Sequence, residues 1–216
     1  MISPFSLSHE WQVNWTIVPS RYAGIEYAQV EKNERQMLES ITAIGVIGGR
    51  QISRLFYPNK KKRERQNILK KLCQQRKLVR HEIIKNTKSI PLFTVGPAVK
   101  KLFAIEMNYW VTYTIEDILK NLLFFQLYIV FKEYIPYARV RPAPSPFTGA
   151  IQTKEDIYYV YVVRGDITDL LTMLKWSTAS YKIVVITEHL DHLALVKPFA
   201  EKLKIRVTTD LDLYSS

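Results

Sequence analysis

The chain has 216 residues, of which 47% are hydrophobic and 24% charged, and a formal net charge of +11. This composition suits one large folded domain or two small ones and excludes wholesale disorder. Cys73 is the only cysteine, which excludes an intrachain disulfide and a zinc site built from cysteines.

The positive charge is segregated. The first 105 residues hold 19 of the 31 Lys and Arg residues but only 7 of the 20 Asp and Glu residues. The whole excess therefore lies in the first half, and a localised cationic field attracts polyanions and speeds encounter with them. Met1–Trp15 lacks the basic start and continuous apolar core of a signal peptide. Leu122–Phe131 is strongly apolar, but Lys120 and Lys132 bound it. A membrane span needs about 20 apolar residues, so a buried helix is expected there. The expectation is a cytoplasmic, soluble protein with no membrane partner.

In chain order, residues 1–30 are aromatic and without a clear period (Phe5, Trp11, Trp15, Tyr22, Tyr27), which reads as an N-terminal arm. Residues 31–105 read as a winged helix-turn-helix domain. The pattern predicts helices over Glu31–Ile44, Arg50–Tyr57 and Lys61–Arg76, then strands over Leu78–Ile84 and Leu92–Val95. Met37, Leu38, Ile41 and Ile44 give the first helix one apolar face, and Gly45, Gly48 and Gly49 end it. Ile52, Leu55 and Phe56 form the stripe of the second helix, which Pro58 closes, with Asn59 as the expected N-cap of the third.

The third helix carries the strongest functional signal. At about 100° per residue, Ile68, Leu69, Leu72 and Cys73 share one face, and Arg63, Asn67, Lys70, Lys71 and Gln74 share the opposite one. Arg and Lys serve phosphates or guanine edges, and Asn and Gln pair with adenine. Lys60, Lys61 and Lys62 add charge at its start, and the cationic run extends to Arg76 and Lys77. Cys73, on the core face, reads as a small buried hydrophobe. Arg50 and Arg54 reach phosphates from the second helix. Lys85 and Lys88, at the tip of the predicted hairpin, reach backbone or minor groove, although charged tips are also ordinary in turns.

After Gly96 a helix is expected at Pro97–Ile105 and a linker at Glu106–Thr114. Residues 106–216 then read as an α/β domain with a mixed sheet. Helices are predicted at Ile115–Glu133, Thr168–Trp176 and Leu190–Leu203. Strands are predicted at Arg139–Arg141, Gly149–Thr153, Tyr158–Val163, Lys182–Thr187 and Ile205–Thr208. Ile183–Ile186 is a continuous apolar run, as in a strand buried on both faces.

Three segments resemble the replication-relaxation family of plasmid and mobile-element proteins. Gly49-Arg50-Gln51-Ile52-Ser53-Arg54-Leu55-Phe56 is similar to that family's second winged-helix segment. Ile68-Leu69-Lys70-Lys71-Leu72, with Lys77-Leu78-Val79-Arg80, is similar to its recognition helix and wing entry. Tyr158–Gly165 is similar to its third core strand. The resemblance covers residues 31–210. It implies a winged helix fused to a domain built like a restriction-endonuclease core, acting in plasmid replication, relaxation or transfer.

A nuclease core of that kind holds a divalent metal with an acid near its second strand and a Glu-x-Lys on its third. Here the third-strand positions are Tyr161 and Val163, and the turn Pro144–Gly149 carries no acid. No Asp or Glu in the chain has a lysine two positions later. The second domain is therefore expected to be a nuclease-like scaffold without catalytic residues, metal or cofactor. Its expected work is to contact a replication or relaxase protein or to pair two subunits. Glu188-His189-Leu190-Asp191-His192 has metal-ligand residue types, but Asp191 at a helix start reads as a cap. His9 and His81 are isolated. The leading expectation is a non-enzymatic, sequence-specific binder of double-stranded DNA. Alternatives are a winged-helix transcriptional repressor, a divergent metal-dependent nuclease, and an adaptor whose basic helix meets an acidic protein.

Overall fold

The apolar spacing in the first helical segment produces α1, Lys32–Ile44, which buries Met37, Leu38 and Ile41 completely. Glu34 caps it by accepting the Glu31 N–H at 3.2 Å. Gly45 ends it with φ +120°, where a Cβ would strike the Tyr113 ring. In this computed structural model, residues 2–22, 29–176, 181–189, 191–200 and 204–214 are described. They form an α+β chain with two sheets and eight α-helices among the described residues.

The chain divides into two compact units. His9–Ile118 forms one, and Leu119–Ser216 with Met1–Ser8 forms the other. The first holds β1 (Trp11–Asn14), α1, β2 (Ile47–Gly48), α2 (Gly49–Phe56), α3 (Lys62–Gln74), β3 (Leu78–Lys85), β4 (Lys88–Val95) and α4 (Lys100–Phe103). Its antiparallel sheet has the order β1-β3-β4-β2. The β3–β4 hairpin sets Lys85 opposite Lys88 at its tip and Arg80 opposite Phe93 near its base. Gly96 anchors the end of β4: its N–H donates to the Lys77 carbonyl, and a Cβ would lie 2.2 Å from the Arg76 carbonyl oxygen.

α5 (Ile115–Tyr134) contains the boundary between the units. The second unit continues with β5 (Arg139–Arg141), β6 (Gly149–Gln152), β7 (Ile157–Val162), α6 (Thr168–Trp176), β8 (Lys182–Thr187), α7 (His192–Ala200), β9 (Lys204–Thr209) and α8 (Asp210–Tyr214). Sheet order follows chain order, β5-β6-β7-β8-β9. The first three strands form an antiparallel meander, and β7, β8 and β9 run parallel through the crossovers α6 and α7. Ile183–Ile186 is buried throughout, which is the double-sided burial expected of an inner parallel strand. The N-terminal residues belong to this unit. Ser3 Oγ and Arg164 Nη2 both donate to Asp210, and Arg164 Nε donates to the Phe5 carbonyl at 3.2 Å.

Several elements differ from the sequence reading. Residues 1–30 are not one arm: Trp11–Asn14 is a strand of the first sheet, and residues up to Ser8 belong to the other unit. Four residues of alternation are too few to announce a strand; pairing with β3 supplies it. Tyr27 lies outside the described residues. The break between units falls at Ile118 and Leu119 rather than at 105 and 106. Pro97–Ile105 is a 3-10 turn and the single turn α4, ended by Ala104 at φ +51°. The expected linker holds a 3-10 turn, Tyr109–Thr112, whose Trp110 is buried. α3 starts after Lys61, not Asn59, because Glu64 accepts the Lys61 N–H at 3.1 Å. Of the predicted helix Leu190–Leu203, residues 190 and 201–203 lie outside the described residues. No helix among the described residues is long and apolar enough to cross a membrane.

Candidate nucleic-acid interface

The faces of α3 follow its sequence. Leu72 is buried, Ile68, Leu69 and Cys73 are half-buried, and Arg63, Asn67, Lys70, Lys71 and Gln74 are exposed. One flank of the helix borders an open groove of about 920 Å³, shared with the start of α2 and the base of the β3–β4 hairpin. Arg50 and Arg54 line it from α2, Lys62 and Lys70 from α3, and Arg80 from β3. Leu69, Cys73, Pro91 and Phe93 form its apolar floor. Packing fixes the opposite bank, since a Cβ on Gly49 would meet Phe93 at 3.1 Å and Pro91 at 3.3 Å.

Two residues of this groove, Gln66 and Arg80, were not among the site residues expected from sequence. Gln66 stands on it between Lys62 and Lys70. Arg65 lines it but is committed to the turn before α3: Nε donates to the Lys60 carbonyl at 2.6 Å and Nη2 to the Pro58 carbonyl at 2.9 Å. Arg65 therefore holds the α2–α3 turn in place. The signal for Arg80 and Gln66 is weak in sequence. Arg80 is one exposed residue in a strand, and Gln66 looks like any helical amide until α2 and β3 are set beside it.

The expected cations do not all converge. Lys60 and Lys71 line a separate hollow of about 380 Å³ with Glu31 and Glu34 of the α1 start. Lys61, Arg63, Asn67 and Gln74 are exposed and outside both depressions. Arg76 and Lys77 lie beyond α3. The Arg76 guanidinium sits over the Tyr22 ring at 3.6 Å, and Lys77 Nζ is buried against Glu34 Oε2 at 2.7 Å. Lys85 is half-buried at the hairpin tip, 5.6 Å from the Trp11 ring centre. Burial, with help from Lys88, holds its ammonium below the ordinary lysine range. At about 3.3 Å per residue, that tip stands roughly 17 Å along β3 from Arg80. Burial raises the Cys73 thiol above its ordinary value, against a smaller opposing effect of Arg80. Its weak thiolate character fits a packing role.

His81 is not an incidental surface residue. It is 1% exposed, between Trp15 and Trp110 at centroid distances of 4.9 and 5.0 Å. Nδ1 accepts the Thr16 N–H, so Nε2 carries the proton toward Thr94 Oγ1 at 2.8 Å. Burial pushes its pKa down to about 3.

In the other unit, Tyr161 and Val163 belong to an apolar cluster with Phe147, Ile167, Leu170 and Ile183. The Tyr161 hydroxyl donates to Asp169 Oδ1 at 2.6 Å. Glu155 and Asp156 lie in the turn between β6 and β7, where Thr153 Oγ1 accepts both of their N–H groups. Lys182 pairs with Asp156. Among the described residues no three His, Cys, Asp or Glu side chains are grouped to hold a metal ion. Leu190, within the 188–192 segment, lies outside them. Comparison with protein-family models, with curated proteins and with solved structures finds no match.

Proposed function

We propose that this chain is a sequence-specific double-stranded DNA-binding protein whose His9–Ile118 unit acts as a winged helix. The observation that carries the reading is the convergence of Arg50, Arg54, Lys62, Lys70 and Arg80 from three separate elements on one open groove. A cationic surface drawn from α2, α3 and a hairpin suits a duplex, whose phosphates lie on both sides of the groove that a helix enters. Lys85 and Lys88 extend the charge to the hairpin tip. Lys60 and Lys71, beside two glutamates, are peripheral to it.

The second unit serves as a nuclease-like scaffold in this proposal. The meander β5-β6-β7 followed by a parallel β8 supports that layout, and the apolar packing of Tyr161 and Val163 supports a role without catalysis. Its work is contact with a replication or relaxase partner or pairing of two chains, in plasmid or mobile-element replication, relaxation or transfer. Nicking of supercoiled plasmid by the Mg²⁺-supplemented protein, abolished by a chelator, would overturn the non-catalytic part.

The binding test is fluorescence anisotropy of the full chain with labelled duplex across a salt series. Each phosphate contact contributes roughly 0.9 to the slope of log affinity against log salt. The variant R50A/R54A/K70A is expected to lower that slope by about 3 and to weaken binding to every duplex. Salt-independent binding by the unsubstituted chain, or no binding, overturns the reading.

A further inference from the structure

We infer that Gln66, rather than Asn67, is the amide through which α3 reads base edges. The inference rests on the duplex-binding reading above and names the specificity residue within it. Adjacent residues on a helix point about 100° apart, and of this pair one residue lines the groove. That residue is Gln66. It shares the flank with Lys62 and Lys70, one turn before and after it, and faces Arg50 and Arg54 across the groove. Asn67 is exposed beyond the groove.

Position decides the matter because α3 does not act alone. Cations on α2 and β3 fix where a duplex sits, and they lie on the Gln66 side of the helix. A duplex centred on the outward face, over Asn67 and Gln74, would leave Arg50 and Arg80 behind. Seated on the groove, its backbones meet the cations of α2, α3 and β3, and the base edges between them lie over Gln66. A glutamine amide offers one acceptor and one donor to adenine N6 and N7, a pairing that discriminates among the four base pairs in the major groove. The Gln66 side chain is exposed and makes no hydrogen bond among the described residues, so its amide is uncommitted. It also lies in the first half of α3, the part of a recognition helix that reaches base edges in helix-turn-helix docking.

The experiment begins with selection from a randomised duplex library by the full chain, followed by affinities for the selected duplex with each base pair changed singly. The unsubstituted protein is expected to lose about tenfold in affinity when one A·T pair is replaced. Q66A abolishes that preference at that pair alone, with the same salt slope and the same affinity for unselected duplex. N67A retains the preference. Q66E, an acceptor only, shifts it toward cytosine, whose N4 is a donor. The inference is overturned if N67A erases the preference and Q66A keeps it, or if Q66A weakens all duplexes equally. Salt-dependent binding with no selected sequence overturns it too, while leaving the duplex-binding reading intact. Absence of salt-dependent binding defeats both.

Discussion

Lys70 and Lys77 carry the same charge into opposite surroundings. Lys70 is exposed on the groove, whereas the Lys77 side chain is 6% exposed and paired with Glu34. Removing one partner of a buried pair strands the other charge, which costs about 3–5 kcal/mol. K77A should therefore lower the urea midpoint substantially while leaving the salt slope of DNA binding unchanged; K70A should do the reverse. His81 makes a pH prediction. Its folded pKa of about 3 lies below the unfolded value near 6.5, so only the unfolded chain takes up the proton between them. Stability is full above pH 6.5 and falls as the pH drops toward 3, by roughly 1.4 kcal/mol per pH unit within that window. H81N should flatten this limb of a stability–pH curve measured by urea unfolding, and an unchanged limb would assign the acid loss to other groups. Neither environment was legible in sequence. Arg76-Lys77 continues the cationic run of α3, and only the chain reversal into β3 carries Lys77 toward Glu34. The opposite polar and apolar faces of α3 were legible, because helical period alone sets them.

At the scale of elements, long periodic segments were readable and several short ones were not, although the three-residue β5 matches its expected bounds. α1, α2, α3, α6 and β8 fall within a residue or two of their expected bounds. β1, β2 and α8 were missed, because strands of four and two residues and a helix of five owe their form to neighbours rather than to a period. The candidate interface shows the same limit: α3 was readable as a helix, but which flank faces α2 and β3 is a tertiary fact. The junction of α3 with the hairpin rests on Gly96. In G96A the methyl group would meet backbone at Arg76 rather than a flexible side chain, so the β4 end must shift. A loss of about 2 kcal/mol or more in unfolding free energy is expected, within the range for strained backbone. Hydrogen exchange should then quicken first in the β3–β4 hairpin; uniform quickening across the chain would argue against a local origin.

At the scale of the whole molecule, the charge asymmetry of the sequence coincides with the division into units, although the cut lies further along than composition placed it. The chain also enters and leaves the His9–Ile118 unit from the same neighbour, since Met1–Ser8 belongs with Leu119–Ser216. Deleting residues 2–8 removes the Ser3 hydroxyl from Asp210 and the Phe5 carbonyl from Arg164, both at buried groups. Each group left unsatisfied costs about 1–3 kcal/mol. The deletion should therefore quicken hydrogen exchange in β7, β9 and α8 and spare α1–α3. Equal loss in both units would show that the segment supports more than its own. The same contacts impose an order on biosynthesis. Ser3 leaves the ribosome 207 residues ahead of Asp210, the carboxylate that receives its hydroxyl. The His9–Ile118 unit, which we propose binds DNA, is thus fully synthesised while the opening residues of the chain still await their anchor.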